Sequence, residues 1–181
     1  LDFGGQVTAF YQPEQKWEPV HIAPELRNQF RSMLQRPAWF QWRRYGSDFR
    51  NLPAGLQAFA GIPFFIPDER LQPVPSLVVL KGGRSEVTEE AVRIPVAHKA
   101  SKVAFLHTAN IQFRHYTEGT PLCHYRLHFE DGSHADFPVI PRENIWMWQV
   151  DAPLELSSAE VVWTQVVQVD KLREQLQLYQ F

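Results

Sequence analysis

Residues 122–130 alternate strictly: Cys123, Tyr125, Leu127 and Phe129 fall on one side of an extended chain, and Leu122, His124, Arg126, His128 and Glu130 on the other. Asp131-Gly132 follows as a hairpin-turn dipeptide, so 134–140 is expected to return antiparallel beside the first strand. Apolar runs predict further strands at 59–66, at 76–80 before the Gly82-Gly83 turn, and at 102–109, 144–150 and 159–168. In 92–96, Val92, Ile94 and Val96 alternate with Arg93 and Pro95, and the proline places this strand at an end or an edge. The last segment reads two ways: Leu172, Leu176 and Tyr179 suit a helix, whereas Leu176 and Leu178 suit a strand.

Before Pro53 the pattern changes. Leu26, Phe30, Met33 and Leu34 recur at helical spacing, with Pro24 acceptable in a first turn, so a short helix is expected over 23–34. Residues 37–46 are dense in aromatics and arginine without a period. Many short strands separated by turn signals predict an all-β, antiparallel β-sandwich. Residues 1–53 would form an N-terminal elaboration with that short helix, packed on a sandwich of residues 54–181, the two making one structural domain.

Composition narrows the function classes. Fourteen prolines and 13% aromatics among 181 residues fit a turn-rich β-protein. A net charge of −2 with no basic run argues against a nucleic-acid partner. The lone Cys123 rules out an intrachain disulfide. No apolar run approaches the ~20 residues that a membrane-spanning helix needs. A chain that starts at Leu1 fits removal of a secretory leader and excision of a domain alike.

Two groups of residues are candidates for binding. Trp39, Trp42 and Tyr45 could stack against sugar rings, with Arg43 and Arg44 donating to hydroxyls or to a carboxylate. Large aromatics more often pack, so capping the core is the commoner use of such residues. His124, Arg126 and His128 share a polar strand face, and His134 lies beyond the turn. Histidines four apart on one strand stand roughly 13 Å apart by the ~3.3 Å rise, too far to share a zinc ion. A metal site would need residues from other strands, such as His107 or His115. No metal ligand set is therefore expected from these residues.

By alternation His107 shares the face of Phe105, which makes it a satisfied core or rim histidine. Trp146 and Trp148 share one strand face and are expected in the core or as a pair that covers the sheet. Glu89, Glu90, Glu118, Glu130, Asp131, Asp136 and Glu143 all lie near turns or exposed faces, and nothing pairs them as a glycosidase requires. Nucleophile-elbow, zinc-helix and phosphate-loop motifs are missing, so no catalytic residues are expected. No cofactor is expected either. Loop Asp and Asn with backbone carbonyls would suffice for a structural calcium ion, though no acidic calcium loop is present.

The segments DFRNLPAGLQAFAGIPFFI, IPVAHKASKVAFLHTA, YRLHFEDG and NIWMW together resemble bacterial carbohydrate-binding-module-like domains. These are galactose-binding-like β-sandwich modules that accompany glycoside hydrolases, and the resemblance spans residues 48–181. It implies a sandwich of jelly-roll type, an extracytoplasmic location (secreted, periplasmic or cell-surface) and glycan recognition. Two departures stand out. The aromatic and arginine residues 39–45 replace a polar, glycine-rich stretch, and the chain stops where the pattern usually runs into one more strand.

The expected function is thus a non-catalytic accessory module of a bacterial protein, binding carbohydrate or packing beside a neighbouring domain of its own polypeptide. Its binding residues would be Trp39, Trp42, Arg43, Arg44, Tyr45, His124, Arg126 and His128. A structural or protein-interaction domain with no ligand of its own, and a small sugar-active hydrolase or lyase, are the alternatives.

Overall fold

The computed structural model describes residues 2–11, 17–18, 52–66, 78–81, 90–96, 99–111, 116–150, 152, 154–169 and 172–180. The helix expected over 23–34 and the aromatic stretch 37–46 lie outside the described residues. The strands, in chain order, are β1 (Asp2–Tyr11), β2 (Trp17–Glu18), β3 (Gly55–Phe59), β4 (Ile62–Ile66), β5 (Val78–Leu80) and β6 (Lys102–Asn110). They continue with β7 (Cys123–His128), β8 (His134–Val139), β9 (Gln149–Val150), β10 (Glu160–Val169) and β11 (Leu172–Gln180). The described residues contain no helix, and this part of the chain is all-β.

The main sheet runs β10-β11-β6-β1-β2, with β5 added to β1 and β9 added to β11. Every pairing between these strands is antiparallel. The other two sheets are hairpins, β3–β4 and β7–β8.

Strand β6 holds these parts together. Residues Ala104, Phe105, Leu106, His107, Thr108 and Ala109 are all buried, which happens to a strand only when both of its faces are covered. Ala104 and Leu106 pack with Phe59, Ile62, Phe64 and Ile66 of the β3–β4 hairpin and with Trp148. On the opposite face, the Phe105 ring stacks on Tyr125 of β7 with centroids 3.7 Å apart. Ala109 joins Val139 of β8, Ile145, Trp146 and Val150 in a second cluster. Each fully buried aliphatic or aromatic side chain of these clusters contributes roughly 1.5–3 kcal/mol of burial.

Several expectations change at this level. The run 59–66 is not one strand but the bend of a hairpin, because Ala60 and Gly61 both take positive φ (46° and 79°). Positive φ at both central residues is the type I′ turn, whose twist matches the flanking strands and brings Phe59 opposite Ile62. Residues 92–96 bury Val92, Ile94 and Val96 against Val78 as the alternation predicts, yet the segment joins no ladder. In 144–150 only β9 is a strand, although Met147 forms a parallel bridge to Ala109. Trp146 and Trp148 are both buried but enter different clusters, on either side of that bridge. The ambiguous last segment is a strand, β11, paired along β10.

Ala60 is a non-glycine residue in the left-handed region, a conformation that costs an L-residue roughly 1–2 kcal/mol. Asn tolerates this region far better, so Ala60→Asn is expected to raise unfolding stability by about 0.5–1 kcal/mol in urea titrations.

Candidate functional site

The β7–β8 hairpin is polar on one face and apolar on the other, and its turn sets which residues meet. The Phe129 amide donates to the Ser133 carbonyl (2.9 Å) and the Gly132 amide to the Phe129 carbonyl (3.1 Å). Gly132 closes this loop with a φ of 84°. Glu130, Asp131 and Gly132 thus form a three-residue connection, a tight turn followed by a left-handed glycine. Asp131 Oδ1 braces it by accepting from the Ser133 amide (2.9 Å) and hydroxyl (2.6 Å), bonds that hold the Asp131 carboxyl below its usual range.

With Phe129 and Ser133 hydrogen-bonded, the next pair inward, His128 and His134, is a non-hydrogen-bonded pair. Arg126–Asp136 and His124–Pro138 occupy the following positions of the same kind. Cross-strand side chains stand closest at such positions, about 4.5 Å between Cα atoms. All of them point outward and are exposed. Arg126 donates through Nε and Nη2 to the two carboxylate oxygens of Asp136, each at 2.6 Å. This two-pronged bond keeps Asp136 ionised, with His134 and His124 adding to the effect. His128 and His134 stand across the ladder with ring centroids 6.2 Å apart and planes tilted by 42°.

The inner face is anchored by a buried polar chain. His107, 1% exposed on β6, has both ring nitrogens engaged. Its Nε2 lies 2.9 Å from the Asn144 carbonyl, which can only accept, so Nε2 carries the hydrogen. Nδ1 then accepts from the Tyr125 hydroxyl at 2.9 Å. Asn144 in turn accepts from the Ile140 amide (2.8 Å) and donates to the Pro138 carbonyl (2.9 Å), tying the end of β8 to the same loop. Burial pushes the His107 pKa down to about 4, against the opposing pull of its bond to Asn144, and pushes Tyr125 well up. Burial likewise raises the Cys123 thiol to about 12, so it is a neutral packing group rather than a nucleophile at neutral pH.

His124, Arg126 and His128 therefore share one outward face, as the alternation requires, and His107 is the satisfied core histidine that its place beside Phe105 predicts. Trp39, Trp42, Arg43, Arg44 and Tyr45 lie outside the described residues. Three residues join the candidate site that strand alternation did not single out. His134 and Asp136 complete the outward face from β8. Phe129, expected to point inward with Tyr125, stands 51% exposed where the hairpin turns. It lines an open hollow there with Glu130, Asp131 and Ser133.

Chemically, the face presents imidazoles and a guanidinium whose orientation is fixed by its carboxylate. The carboxylates Asp131 and Asp136 are held in their ionised form, which makes them acceptors and poor proton donors near neutral pH. Among the described residues no three His, Cys, Asp or Glu side chains gather as a metal site. No family model, curated protein or solved structure matches the chain.

His107 makes stability depend on pH. Its folded pKa lies below the ordinary value of 6.5, so the unfolded chain binds the proton more readily. Stability is complete above pH 6.5 and declines as the pH falls towards 4, by about 3 kcal/mol in all. In His107→Gln, urea titrations across that window should show a pH slope shallower by one proton, alongside a lower stability at neutral pH.

Proposed function

We propose that the chain is a non-catalytic accessory module, a β-sandwich of jelly-roll type, that binds carbohydrate for an extracytoplasmic bacterial protein. The observation that carries this reading is the outward face of the β7–β8 hairpin. His124, Arg126, His128, His134 and Asp136 present donors and acceptors to solvent from a backbone that is anchored on its other face through Tyr125 and Val139, although Phe137 on that face stays 40% exposed. Sugar hydroxyls are read by such fixed polar groups, and a sugar's C–H face by an exposed ring. Phe129 supplies an exposed ring at the turn. Trp39, Trp42 and Tyr45, with Arg43 and Arg44, are the further stacking and polar contacts that the reading assigns. The motif resemblance supports the same class of module.

A second reading draws on a different surface. Leu56 and Phe65 are cross-strand partners on the outer face of the β3–β4 hairpin, 66% and 42% exposed. An apolar pair of this kind favours packing against a neighbouring domain of the same polypeptide, with or without a glycan.

The test is calorimetric titration of the chain with a broad panel of oligosaccharides and polysaccharides, with product release assayed in parallel. Saturable binding without turnover is expected. Arg126→Ala, Phe129→Ala and Trp42→Ala should each weaken it at least tenfold while the melting temperature stays nearly unchanged. Binding that survives all three substitutions, or silence across the panel, would discard the glycan reading, and turnover would make the chain an enzyme.

A further inference from the structure

The geometry points to a surface metal site at the tip of the β7–β8 hairpin, in which His128 and His134 clamp one divalent late first-row ion such as Cu²⁺, Ni²⁺ or Zn²⁺. Imidazole is the ligand that suits these ions. The two histidines sit directly opposite each other at a non-hydrogen-bonded position, the place in an antiparallel ladder where side chains come closest. With a metal–nitrogen distance of ~2.0–2.1 Å and the ring centre ~1.1 Å behind the nitrogen, two coordinated imidazoles have centroids roughly 4.5 Å apart at a right angle, widening to about 6.4 Å when opposed. The observed separation of 6.2 Å, with the rings tilted by 42°, falls inside that span at its open end.

The surroundings favour a cation. Among the described residues of the hairpin, Glu130, Asp131 and Asp136 stand against one guanidinium, that of Arg126. Asp136 already gives both oxygens to Arg126, and among the described residues no third His, Cys, Asp or Glu gathers with the pair, so the carboxylates act through their charge rather than as ligands. The ion would therefore have two protein ligands and complete its shell with water or with an oxygen of a bound molecule. His124, two pairs further along the ladder, is too distant to take part.

The site needs no glycan and is tested without one, so it stands or falls apart from the carbohydrate reading. The 181-residue chain is titrated with Cu²⁺ alone while the histidine ring signals are followed by NMR. Those of His128 and His134 should broaden together at the lowest copper additions, ahead of His124. In calorimetry with Zn²⁺ alone, His128→Gln and His134→Gln should each lower the affinity at least tenfold. His124→Gln should leave it within twofold. Two outcomes would overturn the site: first broadening at other histidines (an adventitious ion only), or a His128→Gln/His134→Gln double variant that binds within threefold of the unchanged chain. The NMR reading comes from the unsubstituted protein and does not depend on how any variant folds.

Discussion

A histidine at the centre of a strand covered on both faces can stay only if it is neutral and hydrogen-bonded at both nitrogens. His107 meets both conditions, and much of the described structure follows from how it does so. The Asn144 carbonyl fixes the tautomer, and the tautomer decides that Nδ1 must accept. The partner that can donate there is the Tyr125 hydroxyl, which draws β7 onto β6 and lays the Tyr125 ring flat on Phe105. The Asn144 side chain then holds the backbone at Pro138 and Ile140, where β8 ends. One buried imidazole thus joins the central strand, the hairpin and the loop that leads to Trp146. The loop adds its own bracing, with Arg142 stacked over the Trp146 ring at 4.7 Å and Tyr116 meeting the ring edge-on.

The all-β character and the strands β5, β6, β7, β8 and β10 were legible in the sequence because alternation and burial express the same two-residue period, whereas β1 and β2, within the expected N-terminal elaboration, were not. Cys123, Tyr125 and Leu127 are half-buried and His124, Arg126 and His128 exposed, as the pattern requires. Periodicity is silent on what bends a run and on what lies across from it. The run 59–66 is apolar throughout, and only the backbone conformation of Ala60 and Gly61 separates its two halves into partners. Trp146 and Trp148 share a side by the alternation rule, yet that rule holds only in a regular strand. Here the chain makes a single bridge at Met147, and the two indoles enter separate clusters.

The candidate site was half legible for a related reason. Asp131-Gly132 announces a turn, but a two-residue turn there would pair Glu130 with Ser133 and set His134 opposite Phe129. The observed three-residue loop moves the register by one, which brings His134 to His128 and Asp136 to Arg126. Since the side-chain period is two, a one-residue slip also decides which face a residue occupies. The separation that excludes a shared zinc for His124 and His128 still holds along the strand. The relevant partner lies across the ladder, where strand spacing rather than rise sets the distance.

That register is determined from inside the protein, not by the residues on its outer face. Moving β8 by one position relative to β7 would turn Val139, fully buried among Ile145 and Trp146, towards solvent. A slip of β7 would take the Tyr125 hydroxyl away from His107 and leave a buried ring nitrogen without its bond, a loss of roughly 1–3 kcal/mol in addition to the packing. The outward residues contribute little to this balance, since the Arg126–Asp136 pair is solvent-exposed and exposed pairs add little to stability. Fold and surface chemistry are therefore separable on this hairpin. The inner face fixes the register of the backbone, and the outer face is left to vary its donors and acceptors at small structural cost.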